Sequence, residues 1–175
     1  MTRPGSPQAW ASTAVIMLEN RNLHLTLYAT LRSMRNLCAI LILLALPLAA
    51  ERKVINPPEF GAGSPNFSTA VLADGTLYIA GQVGQDLKTK QVPADFESEV
   101  KLLLTNIGIV LKAAGMSYKD AVSVQVYLTD MDLFARMNGV YTTFFPEPRP
   151  ARTTVGVTKL ALPNAHIEIT VTARK

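Results

Sequence analysis

The chain has 175 residues, room for one ordinary domain with an appendage. Hydrophobic residues make up 49% and charged residues 17%, which excludes bulk disorder. The formal charge of +4 sits mostly in residues 1–50, where four Arg face one Glu; residues 51–175 carry thirteen basic against twelve acidic side chains, so the body lacks the basic surface of a nucleic-acid binder.

Residues 1–33 have no sustained period and no motif. Residues 38–50 read CAILILLALPLAA, with Met34 and Arg35 just before them. The apolar run from Cys38 to Leu46 is short for a membrane span, which needs about 20 residues. A positive start, a short apolar centre and small residues at Ala49 and Ala50 describe a secretory leader, with synthesis beginning at Met34. Leu48 fits the small-residue cleavage pattern poorly, and an uncleaved anchor or an extra helix is the alternative reading. The leader reading places the protein outside the cytoplasm, without stable membrane association once the leader is cut; otherwise the chain is cytoplasmic. Residues 1–50 are thus an N-terminal extension, and 51–175 one domain.

The body has no Cys and one His, His166. Disulfides, a Cys nucleophile and Cys/His zinc sites are excluded from it. Carboxylates, Arg, hydroxyls and backbone groups remain for chemistry.

A short strand is possible near Val54. Residues 69–73 and 76–80 are apolar runs around Asp74-Gly75, a hairpin signal because Gly tolerates positive φ. Gly81 and Gly84 then break the strand pattern. Across 95–114, Phe96, Val100, Leu103, Leu104, Ile107, Leu111 and Ala114 fall on one helical face, with Asp95 as cap and Gly115 as stop. Residues 121–128 alternate as a strand, with Val122, Val124, Val126 and Leu128 on one face. Asp130 opens a second helix through Leu133, Met137, Tyr141 and Phe144, which the PEPRP run at 146–150 ends. Strands over 152–158 and 166–173 follow. The first points Val155 and Val157 one way and Arg152, Thr154, Gly156 and Thr158 the other; the second points Ile167, Ile169, Val171 and Ala173 one way and His166, Glu168, Thr170 and Thr172 the other. The order predicts an α+β sandwich: a mostly antiparallel sheet covered on one face by two helices.

Arg152 and Glu168 both fall on the strand face away from the core pattern. If their strands pair, the two side chains approach one another. A guanidinium fork binds a carboxylate bidentately, and a Glu can orient or deprotonate water. Together they would hydrolyse a small carboxylic acid. A plain cross-strand ion pair explains the same spacing. His166 has no partner at an informative spacing and reads as solvated. Asn138 is a surface residue, or its amide points into a cleft. The segment from Gly81 to Gly84 lacks the Lys and helix of a phosphate loop. Lys101, Lys112 and Lys119 read as a solvated face.

Five blocks in the body, in order, are NFSTAV at 66–71, YIAGQVG at 78–84, MNGVYTTFF at 137–145, PARTTVGV at 150–157 and HIEI at 166–169. With them the body resembles the RidA (YjgF) family of reactive-intermediate deaminases over about residues 53–175. The resemblance implies a chorismate-mutase-like α+β fold and a homotrimer with ligand clefts between subunits. It implies hydrolysis of enamine and imine acids of the 2-aminoacrylate type to 2-keto acids and ammonia, with no cofactor, no metal and no nucleic-acid partner. It makes Arg152 the residue that binds the substrate carboxylate and Glu168 the one that positions water. Phe67, Ala80, Gly81, Asn138 and Thr154 then line the cleft. Phe67 stands where well-characterised members have Tyr, Ala80 where they often have Ser, and Thr154 where many have Cys. The lost hydroxyls at Phe67 and Ala80 suggest a shifted substrate preference. They also leave open a non-catalytic role, a small-acid-binding or chaperone-like trimer. An endoribonuclease or translation-inhibitor role, attached to some family names, fits the near-neutral body poorly.

Overall fold

The computed structural model describes residues 31–32 and 51–175, and the leader reading and the rest of the extension lie outside the described residues. From residue 51 the elements run β1 (Arg52–Ile55), β2 (Ala70–Ala73), β3 (Thr76–Val83), α1 (Phe96–Ala113), β4 (Ala121–Leu128), α2 (Phe134–Phe144), β5 (Ala151–Gly156) and β6 (Ile167–Arg174). They make one six-stranded sheet in the order β1-β2-β3-β6-β4-β5. Every pairing is antiparallel except β4 with β5. That exception follows from the connection, because α2 is a crossover helix, which parallel neighbours require.

The local signals account for most element boundaries. Asp74 and Gly75 both have positive φ, 49° and 72°, as the two-residue β2–β3 turn demands. Asp95 caps α1 by accepting from the Ser98 amide. At the other end the Met116 amide donates to Leu111 O and the Gly115 amide to Lys112 O, with Gly115 at φ 70°. This double closure satisfies the orphan carbonyls, and a left-handed residue there favours Gly. Asp130 caps a single 3-10 turn, Met131–Leu133, which leads into α2.

Both helices cover one face of the sheet. Val100, Leu103, Leu104 and Ile107 of α1 and Met137 and Tyr141 of α2 join Ile79, Val126, Ile169 and Val171 in one core. The aromatic cluster of Tyr118, Tyr141 and Phe145 closes one end.

Four expectations are corrected. Strand β3 runs through Gly81 to Val83, and its pairing with β6 shifts between Ile79 and Gln82. A bulge absorbs the glycine instead of ending the strand. In β4 a second shift between Ala121 and Ser123 leaves Val122 exposed and puts Ala121 in the core. Phe145, not Phe144, is the fully buried aromatic after α2. The fourth correction concerns β5. Arg152, Thr154 and Gly156 pair with Val124, Val126 and Leu128, so they share the helix-covered face, and Val155 is 41% exposed on the other side. Strand β5 lies at the sheet edge, where the helix-side positions are only partly covered, so its alternation of small apolar and polar residues does not mark the core.

Candidate active site

Arg152 sits near the start of β5 on the helix side. Its guanidinium carbon lies 4.6 Å from the Tyr141 ring centroid and 5.7 Å from that of Phe134, both on α2. A guanidinium over aromatic faces is held by the ring quadrupoles and by stacking, without a neutralising carboxylate. Among the described residues Arg152 makes no ion pair. Its charge therefore remains available for an anion. The cavity in front of it, about 320 Å³, is lined by Asn138, Tyr141, Thr142, Arg149, Pro150 and Arg152. Helix α2 brings Asn138 and Tyr141 to this cavity because they lie one turn apart. Thr154 stands two residues along β5 on the same face as Arg152. The Tyr141 side chain is almost fully buried, and its hydroxyl has no hydrogen-bond partner among the described residues.

Glu168 occupies a different place. In β6 it pairs with Tyr127 of β4 and Val83 of β3, on the face away from the helices. The expected approach of Arg152 and Glu168 does not occur within one chain. Strand β4 separates their strands, and the two side chains leave the sheet on opposite faces. Glu168 is half-buried, and desolvation raises its carboxyl above the ordinary range.

The β3 bulge explains where the Glu168 carboxylate rests. A Cβ on Gly81 would come within 1.8 Å of Glu168 Oε1, so the carboxylate occupies the space a side chain would take. Gly81 also opens onto a second cavity, about 290 Å³, which Phe67, Thr69, Gln82 and Lys90 line as well. Phe67 is exposed on the loop between β1 and β2. Ala80 sits in the bulge, where its amide donates to Thr69 O at 3.0 Å and its carbonyl accepts from Gln82 Nε2 at 3.1 Å. Asn106, buried on α1, donates to Gln85 O at 2.9 Å and ties down the loop beside this cavity.

The sequence-predicted residues thus fall into two groups: Arg152, Asn138 and Thr154 on the helix side of β5, and Phe67, Ala80, Gly81 and Glu168 around the β3 bulge. One carboxylate went unnoticed in the sequence. Glu99 of α1 is fully buried and accepts from the His166 backbone amide (2.8 Å), with His166 Nδ1 at 2.8 Å from its other oxygen. His166 is therefore anchored, not merely solvated. Glu99 sits at a helix position next to Val100 and Leu103, and an apolar count passes over it; the lone His of the body was the only available hint.

The family model described as endoribonuclease L-PSP matches residues 62–175. A 2-iminobutanoate/2-iminopropanoate deaminase of Bos taurus is 41% identical over 110 residues, 62% of this chain and 80% of the bovine protein. The crystal structure of RidA from the Antarctic bacterium Psychrobacter sp. PAMC 21119 superposes with a TM-score of 0.66 at 32% identity, covering 70% of this chain and 99% of that one. That of E. coli TdcF with bound serine gives 0.65 at 29% identity, over 70% and 98%. With the mixed six-stranded sheet and two covering helices of its described body, and with these relatives, the chain belongs to the RidA (YjgF) family.

Proposed function

We propose that the protein hydrolyses small 2-imino and 2-enamino acids of the 2-aminoacrylate type to 2-keto acids and ammonia. The observation that carries this reading is Arg152: a guanidinium held by two rings, without a carboxylate partner, at an open cavity. Such a fork receives the carboxylate of an imino acid through two parallel hydrogen bonds. The relative named as a 2-iminobutanoate/2-iminopropanoate deaminase supports the choice of reaction.

The chemistry needs a water near the imine carbon and a group to take its proton. Glu168 is the candidate, since its carboxylate rests over Gly81 with no ion pair of its own among the described residues. Glu168 takes a proton from water as the oxygen adds to the C=N carbon. The nitrogen gains protons, the C–N bond breaks, ammonia leaves and a keto acid remains. An enamine enters this route after protonation at carbon. No step requires a metal or cofactor.

Because Arg152 and Glu168 leave the sheet on opposite faces, one chain does not present both to one substrate. We infer that a homotrimer joins the Arg152 side of one copy to the Glu168 side of the next. The outer face supports this reading, with Tyr78 and Val155 exposed and Tyr127 partly so.

The test is keto-acid formation from freshly generated 2-aminoacrylate or 2-iminobutanoate by the parent, Arg152→Ala and Glu168→Ala. The parent is expected to exceed both variants by about a hundredfold or more, as loss of a charged carboxylate contact or a general base costs. Equal rates in all samples, matching the no-protein control, would sink the reading. Calorimetric binding of 2-ketobutyrate without any turnover would favour the small-acid-binding role instead.

A further inference from the structure

The cavity in front of Arg152 carries more positive charge than one carboxylate needs. Of its six lining residues two are arginines, Arg149 and Arg152, and none is acidic. Arg149 reaches it from the segment just before β5, and Pro150 between them limits the backbone freedom that sets their spacing. Arg152 has no ion-pair partner among the described residues. Arg149 has one, Glu147 Oε1 at 2.6 Å from its Nη1. Glu147 lies two residues away and its side chain is 75% exposed. A local pair in water contributes little, so an incoming anion can replace it at small cost.

Tyr141 walls the same cavity. Its hydroxyl is buried, with 2% of the residue exposed, and has no hydrogen-bond partner among the described residues. Arg149 lines the cavity that this ring walls, and the Arg152 guanidinium lies over the ring itself, 4.6 Å from its centroid. Two guanidinium cations and no carboxylate around one cavity suit a ligand with two anionic groups.

We propose that the substrate class is the 2-imino dicarboxylates, with the carboxylate next to the imine on Arg152 and the distal carboxylate on Arg149. This rests on the deaminase reading above and specifies its substrate. The bond changes stay those of imine hydrolysis. Water adds at the C=N carbon, the C–N bond breaks, ammonia departs and a 2-keto dicarboxylate forms, with the distal carboxylate unchanged.

The experiment uses the full chain and imines made in place by an amino-acid oxidase, 2-iminoglutarate from glutamate and 2-iminopropanoate from alanine. The parent is expected to give a kcat/KM about tenfold or more higher for the dicarboxylate, the worth of one charge-assisted contact. In Arg149→Gln that ratio should fall about tenfold, mainly through KM. In Glu147→Gln, which frees Arg149, it should hold or rise. A parent ratio of one or below, or a ratio unchanged in Arg149→Gln, overturns the proposal. If the parent hydrolyses neither imine, the deaminase reading fails, and calorimetry still decides the two-carboxylate site: 2-ketoglutarate should bind about tenfold tighter than 2-ketobutyrate, and Arg149→Gln should erase the difference. Equal affinities in the parent refute it.

Discussion

Glu168 and the glycines near it set what single residues can be asked to do. Desolvation raises the Glu168 carboxyl above its ordinary 4.5, so the folded chain holds that proton more tightly than the unfolded chain does. The stability this contributes is present below the unfolded value and lost as pH rises through the folded one. Glu168→Gln is neutral at every pH. Its melting temperature relative to the parent should therefore climb as pH rises from the ordinary carboxylate value through the raised folded one. A gap that stays constant or shrinks contradicts the burial of this carboxylate. As a base Glu168 must be ionised, so kcat/KM should fall on the acid side at a pH above the ordinary carboxylate range. Gly81 and Gly84 make a contrasting pair. A Cβ at Gly81 meets only the end of the Glu168 side chain, which can swing away; one at Gly84 lies 2.3 Å from the backbone oxygen of Glu99. Gly81→Ala should melt near the parent yet lose activity as Glu168→Ala does. Gly84→Ala should lose about 1–3 kcal/mol of stability, the usual cost of overpacking against backbone. Urea titration of both variants beside a rate assay separates the two cases.

Between elements, the buried Glu99 joins the first turn of α1 to the start of β6. Glu99→Ala removes two hydrogen bonds and leaves a void at a fully buried position. It should cost about 3 kcal/mol, read as a lower denaturation midpoint with an unchanged slope. A loss under about 1 kcal/mol would mean the clasp is redundant. The elements themselves were largely legible in the chain. Asp74-Gly75, Asp95 and Gly115 act through rules that span two to four residues, and the structure places a turn, a cap and a helix end there. Three of the four errors share one origin. Val122, Val155 and Gly81 depend on bulges and on an edge strand, which arise from pairing with distant residues. Periodicity sees one strand at a time and cannot register a slip against its neighbour.

For the whole molecule the central expectation is assembly. Sedimentation or light scattering should give three times the mass of one chain. Tyr78→Lys, on the outer face of the sheet, should shift the protein toward smaller species and lower deaminase activity with it. An active monomer would refute the shared cleft and require Glu168 to be dispensable. No described helix is long and apolar enough to cross a membrane.

The chain by itself determined the fold class, the hairpin, both helices and the family, because amphipathic periods, caps and family blocks are written in neighbouring residues. It also singled out Arg152 and Glu168, the two charged groups in its most specific blocks. The tertiary structure decided where those groups point. It set Arg152 against the rings of α2 beside Arg149, turned Glu168 to the opposite face over Gly81, and buried Glu99 against His166. Each of these depends on strand order and register, quantities fixed by pairing between residues far apart in the chain, so no local pattern could contain them.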